Sequence, residues 1–128
     1  MKKVLIDTNI YSLAMRGDAK VVDRLRKIDR IGICAISIGE LFSGFKAGSR
    51  EEENRQELEL FLDSPRVVVH SINVETADLY ASIINQLKKA GTPIPTNDIW
   101  IAACAFEHGY KLFSRDQHFD RIPGLLRT

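Results

Sequence analysis

Short apolar runs alternate along this chain with segments whose apolar residues recur at helical spacing, and that alternation restricts the possible folds more than any other feature. Residues 3–6, 31–35, 67–69 and 111–114 are brief and mostly Val, Ile, Leu, Phe or other apolar types, the pattern of strands buried on both faces. Between them, Val21, Val22, Leu25 and Ile28 share one stripe. So do Ile38, Leu41, Phe42 and Phe45, and again Ala77, Tyr80, Ile83, Ile84 and Leu87. Apolar positions at this spacing mark amphipathic helices. Strands alternating with helices predict an α/β fold, a mostly parallel sheet covered on both faces. Residues 99–106 are apolar on nearly every side, so their helix belongs in the interior.

Punctuation supports these elements. Gly17 and Asp18 separate the first two helices, with Asp18 as a cap. Ser37 opens the next helix and, with Glu40 three residues later, has the form of a capping box. A stiff loop at 91–95 carries two prolines, and Thr96 is expected to cap the interior helix. Gly109 ends that helix. Leu125 and Leu126 are read as a short edge strand.

With 128 residues, one compact domain over 1–128 is expected. A 45% hydrophobic and 27% charged composition excludes a disordered chain. The net charge of +1 excludes a global basic field for nucleic acid. Any RNA contact must come from local basic residues or from metal ions. Asp7 cuts the first apolar run too early for a signal peptide, and no run is long enough to span a bilayer, so a cytoplasmic location is expected. Cys34 and Cys104 lack metal-ligand spacing and read as buried free thiols. The histidines form no zinc pattern. His118 lies two residues past Asp116, near enough to support it, although a surface loop is the commoner place for such a residue.

Four carboxylates stand out. In open α/β sheets, ligands bind outside the carboxyl ends of the strands. Asp7 follows the first strand and Asp116 the fourth. Glu40 and Asp98 lie in the first turns of helices that follow the second strand and the proline loop. Each alone has a plain structural role as a helix cap or turn residue, worth about 1 kcal/mol. Together they are harder to explain. At separations near 5 Å and an effective dielectric of about 20, each like-charge pair costs roughly 3 kcal/mol, more than the caps return. Protons or cations must relieve the repulsion, and oxygen-only ligands favour Mg²⁺ or Mn²⁺.

Blocks in the same order resemble a known family. Val4-Leu5-Ile6-Asp7-Thr8-Asn9 is similar to the start of a PIN domain, and Glu40-Leu41-Phe42-Ser43-Gly44 resembles its E-x-x-x-G helix. Asn97-Asp98-Ile99-Trp100-Ile101-Ala102-Ala103 resembles its N-D-x-x-I-A-A helix. Leu112-Phe113-Ser114-Arg115-Asp116, with His118-Phe119, resembles its closing strand and loop. The short form is most similar to VapC-like toxins of toxin–antitoxin pairs. The resemblance implies a three-layer α/β/α sandwich and a Mg²⁺- or Mn²⁺-dependent endoribonuclease. It further implies an inhibiting antitoxin and a homodimer. It places Asp7, Glu40, Asp98 and Asp116 at the catalytic acidic positions. Asp7, Asp98 and Asp116 are expected to bind metal, and Glu40 to act directly or through water. Thr8, Asn97 and Ser114 match supporting polar positions.

Arg115, beside an active-site acid, is the candidate phosphate contact. The basic set Lys20, Arg24, Arg26, Lys27 and Arg30 reads more readily as a solvated helix face. The stripe of Ile38, Leu41, Phe42 and Phe45 suits an antitoxin groove, a dimer seam or the core. Two alternatives stay open: an RNA-processing PIN nuclease outside any toxin–antitoxin system, and a non-catalytic module on the same fold. A haloacid-dehalogenase-like phosphatase is disfavoured because Asn9 stands where it needs a second aspartate. A receiver domain is disfavoured because no aspartate follows the third strand.

Overall fold

The computed structural model describes residues 2–128. Its elements run β1 (Lys3–Ile6), α1 (Thr8–Met15), α2 (Ala19–Arg26), β2 (Arg30–Cys34), α3 (Ala35–Ala47), α4 (Glu51–Leu62), β3 (Val67–His70), α5 (Val74–Ala90), α6 (Thr96–His108) and β4 (Lys111–Phe113). A 3₁₀ turn, Gln117–Arg121, follows. The four strands form one sheet in the order β3-β2-β1-β4, and every pairing is parallel.

Strand alternation divides the core into two layers. In β1, Leu5 joins one cluster while Val4 and Ile6 join the other. In β4, Leu112 and Phe113 part in the same way. Side chains of period two therefore serve both faces. One face carries α1 to α4 through Ile10, Val21, Leu25, Leu41 and Leu58. The other carries α5 and α6 through Ile83, Leu87, Ile99 and Ile101. The result is the expected α/β/α sandwich with a wholly parallel sheet. Each fully buried Leu or Ile contributes about 1.5–3 kcal/mol.

The interior helix is where its sequence placed it, with Ile99 and Ile101 to Ala105 all buried. Tyr80 stacks on Trp100 at 3.9 Å between ring centres, joining α5 to α6. The stripe on α3 faces the core: Leu41 is buried, and Ile38, Phe42 and Phe45 pack against the same cluster. Cys34 and Cys104 are buried and unbridged. Among the described residues, no helix is long and apolar enough to cross a membrane.

Three local expectations change. Strand β2 runs directly into α3, so Cys34 takes the cap position and Ser37 already lies inside the helix. The Ser37 hydroxyl is buried with no hydrogen-bond partner among the described residues, and the Ser37–Glu40 capping box does not form. Thr96 is the first helical residue of α6, and Pro95 precedes it as a cap without a side-chain bond. The pair Leu125–Leu126 makes no strand. The tail meets β4 only through a single bridge, Leu112 to Arg127, with backbone bonds from Leu112 to Leu126 and from Thr128 to Leu112.

Gly32, in the middle of β2, leaves room for a ring. A Cβ there would stand 2.5 Å from Cζ of Tyr110. That ring is buried, and its hydroxyl bonds Nε2 of His70 at 2.6 Å. We expect Gly32→Ala to destabilise the fold by about 1–3 kcal/mol, as overpacking does. In urea unfolding, the loss should shrink when Tyr110 is also truncated to Ala, because both changes act on one contact.

Candidate metal centre

The sheet order creates the site. The chain passes from β1 to β2 to β3 on one side of β1, then returns to β4 on its other side. Beyond the carboxyl ends of β1 and β4 lies the crevice where open α/β sheets bind ligands. Asp7 leaves β1 at that point and Ser114 leaves β4.

Asp7 has an extended backbone and caps α1, its Oδ1 accepting from the Ile10 N–H at 2.9 Å. Its Oδ2 accepts from the Ser114 hydroxyl at 2.5 Å. The cap and the site are thus the same carboxylate. The Ser114 hydroxyl also accepts from the Asp116 N–H at 2.9 Å, which ties the β4 loop to β1. Asp116 in turn caps the 3₁₀ turn by accepting from the His118 N–H at 2.9 Å.

Glu40 faces the same space from α3. With no capping box to complete, its Oε1 accepts from the Thr8 hydroxyl at 2.5 Å and its Oε2 from the Asn97 amide at 3.3 Å. Thr8 and Asn97 therefore orient one carboxylate from two further helices. Asp98 comes from the first turn of α6. Its Oδ2 lies 3.2 Å from Nδ1 of His118, and that nitrogen is 3.1 Å from Oδ1 of Asp116. Asp7, Glu40, Asp98 and Asp116 line one small cavity of about 90 Å³ with Thr8, Asn9 and Ile101. A water needs roughly 10–15 Å³ of such space, so an ion with several waters fits.

Burial raises the Asp7 carboxyl above its ordinary value, against the pull of its Ser114 and Ile10 hydrogen bonds, and the charges of Asp116 and Glu40 add to the rise. Burial also raises Asp98, with Asp116 and Glu40 adding to it and His118 opposing. These acids hold charge at a cost that a divalent cation would remove. A lining with four carboxylates, Asp7 buried and the other three half-buried, suits a hard ion with oxygen ligands.

Two wider clefts adjoin the acid cavity. One of about 630 Å³ runs past Ala35, Ile36, Gly39, Ser43 and Gly44 and shares Glu40 and Asn97 with the site. The other, about 320 Å³, is lined by Asn9, Leu13, Arg16, Arg115 and Asp116. Arg115 borders this second cleft but also grips Asp18, through contacts of 3.1 and 3.3 Å. The α2 basic set is partly engaged elsewhere: Arg24 lies over the Phe113 ring at 4.3 Å and Lys27 pairs with Asp23 at 3.2 Å. The residue that sequence reasoning undervalued is His118. It bridges Asp98 and Asp116, and its signals were its place two residues after an acid and in the closing block of the PIN resemblance.

The family model described as PIN domain matches residues 4–125. The chain belongs to the PIN-domain family. Among curated relatives of this PIN domain is Ribonuclease VapC1 of Haemophilus influenzae, 32% identical over 126 residues, covering 94% of this chain and 92% of the relative. Ribonuclease VapC4 of Mycobacterium tuberculosis is 24% identical over 123 residues, covering 96% and 93%. Among solved structures, DNA-bound VapBC from Salmonella typhimurium superposes with a TM-score of 0.89 at 26% identity, covering 100% of this chain and 98% of that one. VapBC-1 from nontypeable Haemophilus influenzae gives 0.87 at 30% identity, covering 100% and 97%.

The electrostatics make a signed prediction. A carboxyl whose pKa is higher in the folded state costs stability once ionised. That cost is absent below the unfolded value and complete above the folded one. Without metal, Asp98→Asn should stabilise the fold at pH 7. The gain should fade as the pH falls through the raised Asp98 value towards its ordinary 3.8. Urea unfolding of both proteins across this range checks it. A large loss of stability at pH 7 would mean that the charged carboxylate is a structural cap.

Proposed function

We propose that this PIN domain, acting as one unit over residues 1–128, is an endoribonuclease that uses Mg²⁺ or Mn²⁺ to hydrolyse RNA phosphodiester bonds. The observation that carries the reading is the meeting of Asp7, Glu40, Asp98 and Asp116 in one cavity at the crevice between β1 and β4. A bound divalent ion supplies a coordinated water of lowered pKa and positive charge for the leaving oxygen.

The chain's own residues do the rest. Asp7, Asp98 and Asp116 hold the ion. Ser114 keeps Asp7 and the Asp116 backbone in register through its single hydroxyl. Glu40, fixed at both oxygens, orients water or completes the ion's shell. The scissile phosphate reaches the acids along the adjoining clefts, with Arg115 as its cationic contact once it exchanges Asp18 for a phosphate.

The relatives' names and the VapBC complexes among similar structures support the further reading that the chain is the toxin of a toxin–antitoxin pair. On this reading it acts in the cytoplasm as a homodimer held inactive by its antitoxin. Phe42, Leu58 and Leu62, rimmed by Arg55, Glu59 and Asp63, line a cavity of about 390 Å³ between α3 and α4, which suits an apolar side chain of that partner flanked by polar groups.

Asp98→Asn should abolish cleavage of a defined RNA panel in the presence of Mg²⁺, and full cleavage by this variant would sink the assignment. Mn²⁺ titration should raise the melting temperature of the wild type along a saturable curve. The shift should be much smaller for the variant.

A further inference from the structure

Resting on the metal reading above, we propose that His118 is a direct nitrogen ligand of the bound ion, and that it biases this site towards Mn²⁺ over Mg²⁺. The carboxylates alone would give an all-oxygen shell. The imidazole changes the donor set.

The placement of His118 is built rather than incidental. Its backbone N–H is held by Asp116. The next residue, Phe119, is buried in the core beneath α6, so the backbone of the turn is fixed where the ring departs. From that anchor Nδ1 stands 3.2 Å from an Asp98 oxygen and 3.1 Å from an Asp116 oxygen. One ligand atom from each of Asp98, Asp116 and His118 lies within 4.8 Å of the others. An octahedral ion with bonds of about 2.0–2.2 Å holds neighbouring ligand atoms about 3 Å apart. The two spacings around Nδ1 match that value.

A hydrogen bond between Nδ1 and Asp98 accounts for one of these two contacts. A neutral imidazole with its proton on Nδ1 donates to one oxygen, yet Nδ1 sits almost equally close to two. With the proton on Nε2 instead, Nδ1 has a lone pair to give to an ion held beside those oxygens. The chemical consequence is selectivity. Mg²⁺ strongly prefers oxygen and keeps its waters, whereas first-row transition ions accept imidazole.

The test uses the full chain, purified metal-free and loaded with Mn²⁺ alone. Pulsed electron paramagnetic resonance detects nitrogen nuclei coupled to the ion. We expect ¹⁴N modulation in the wild type, conversion to a ¹⁵N pattern after growth on ¹⁵N-histidine, and loss of the signal in His118→Gln. Calorimetry should show Mn²⁺ affinity falling about tenfold or more in that variant, with a clearly smaller fall for Mg²⁺. Mn²⁺ that binds the wild type without nitrogen modulation would overturn the proposal and leave the metal reading intact. An unchanged Mn²⁺ affinity in a folded His118→Gln variant would also overturn it. No Mn²⁺ binding at all would overturn both. If the variant fails to fold, the labelled wild type decides alone, because His70 and His108 are engaged with each other, with Tyr110 and with Glu107.

Discussion

Strand β1 carries the structure. It has a partner on each side and ends at the acidic cavity, and its residues Val4, Leu5 and Ile6 are wholly buried. Alternation across the strand sends Leu5 to the α5–α6 layer and Val4 and Ile6 to the α1–α4 layer. Because β4 pairs with β1 in parallel, both strands deliver their following residues to the same edge of the sheet. Parallel pairing thus converts a packing requirement into a place for chemistry.

At that edge, structural and chemical roles are shared by the same atoms. Asp7 caps α1 with one oxygen and takes the Ser114 hydroxyl with the other. Asp116 caps a 3₁₀ turn while facing Asp98 through His118. Hydrogen bonds from the Ile10 and His118 backbone and from the Ser114 and His118 side chains hold these acids in a cavity that would otherwise push them apart. They lessen the cost of charge but do not remove it, since burial still raises both Asp7 and Asp98. The fold keeps an electrostatic conflict that a cation would relieve, which is what an ion site needs before the ion arrives.

Glu40 shows how one local departure reshapes the site. A capping box would have turned this side chain back on its own helix. The direct passage of β2 into α3 places Ser37 inside the helix and removes that option. Glu40 then reaches across to Thr8 and Asn97, and three helices become linked through one carboxylate. Arg115 departs in a similar way: its guanidinium is matched to Asp18 on the first helix pair, a long-range contact that no local spacing reveals.

Much of this was legible in the chain itself. The strands, the interior helix and the separation of Asp7, Glu40, Asp98 and Asp116 onto different segments follow from periodicity, breakers and strand-end placement, because these depend on residues close in sequence. The order of the PIN-like blocks pointed to the same acids. What the chain alone left open were contacts between distant segments. The absence of the Ser37 cap, the grip of Thr8 and Asn97 on Glu40, the pairing of Arg115 with Asp18 and the position of His118 between two carboxylates were decided by how helices dock on the sheet. Local spacing says where a side chain leaves the backbone. Only the packed tertiary structure determines which partner, among several chemically suitable ones, lies within hydrogen-bonding distance.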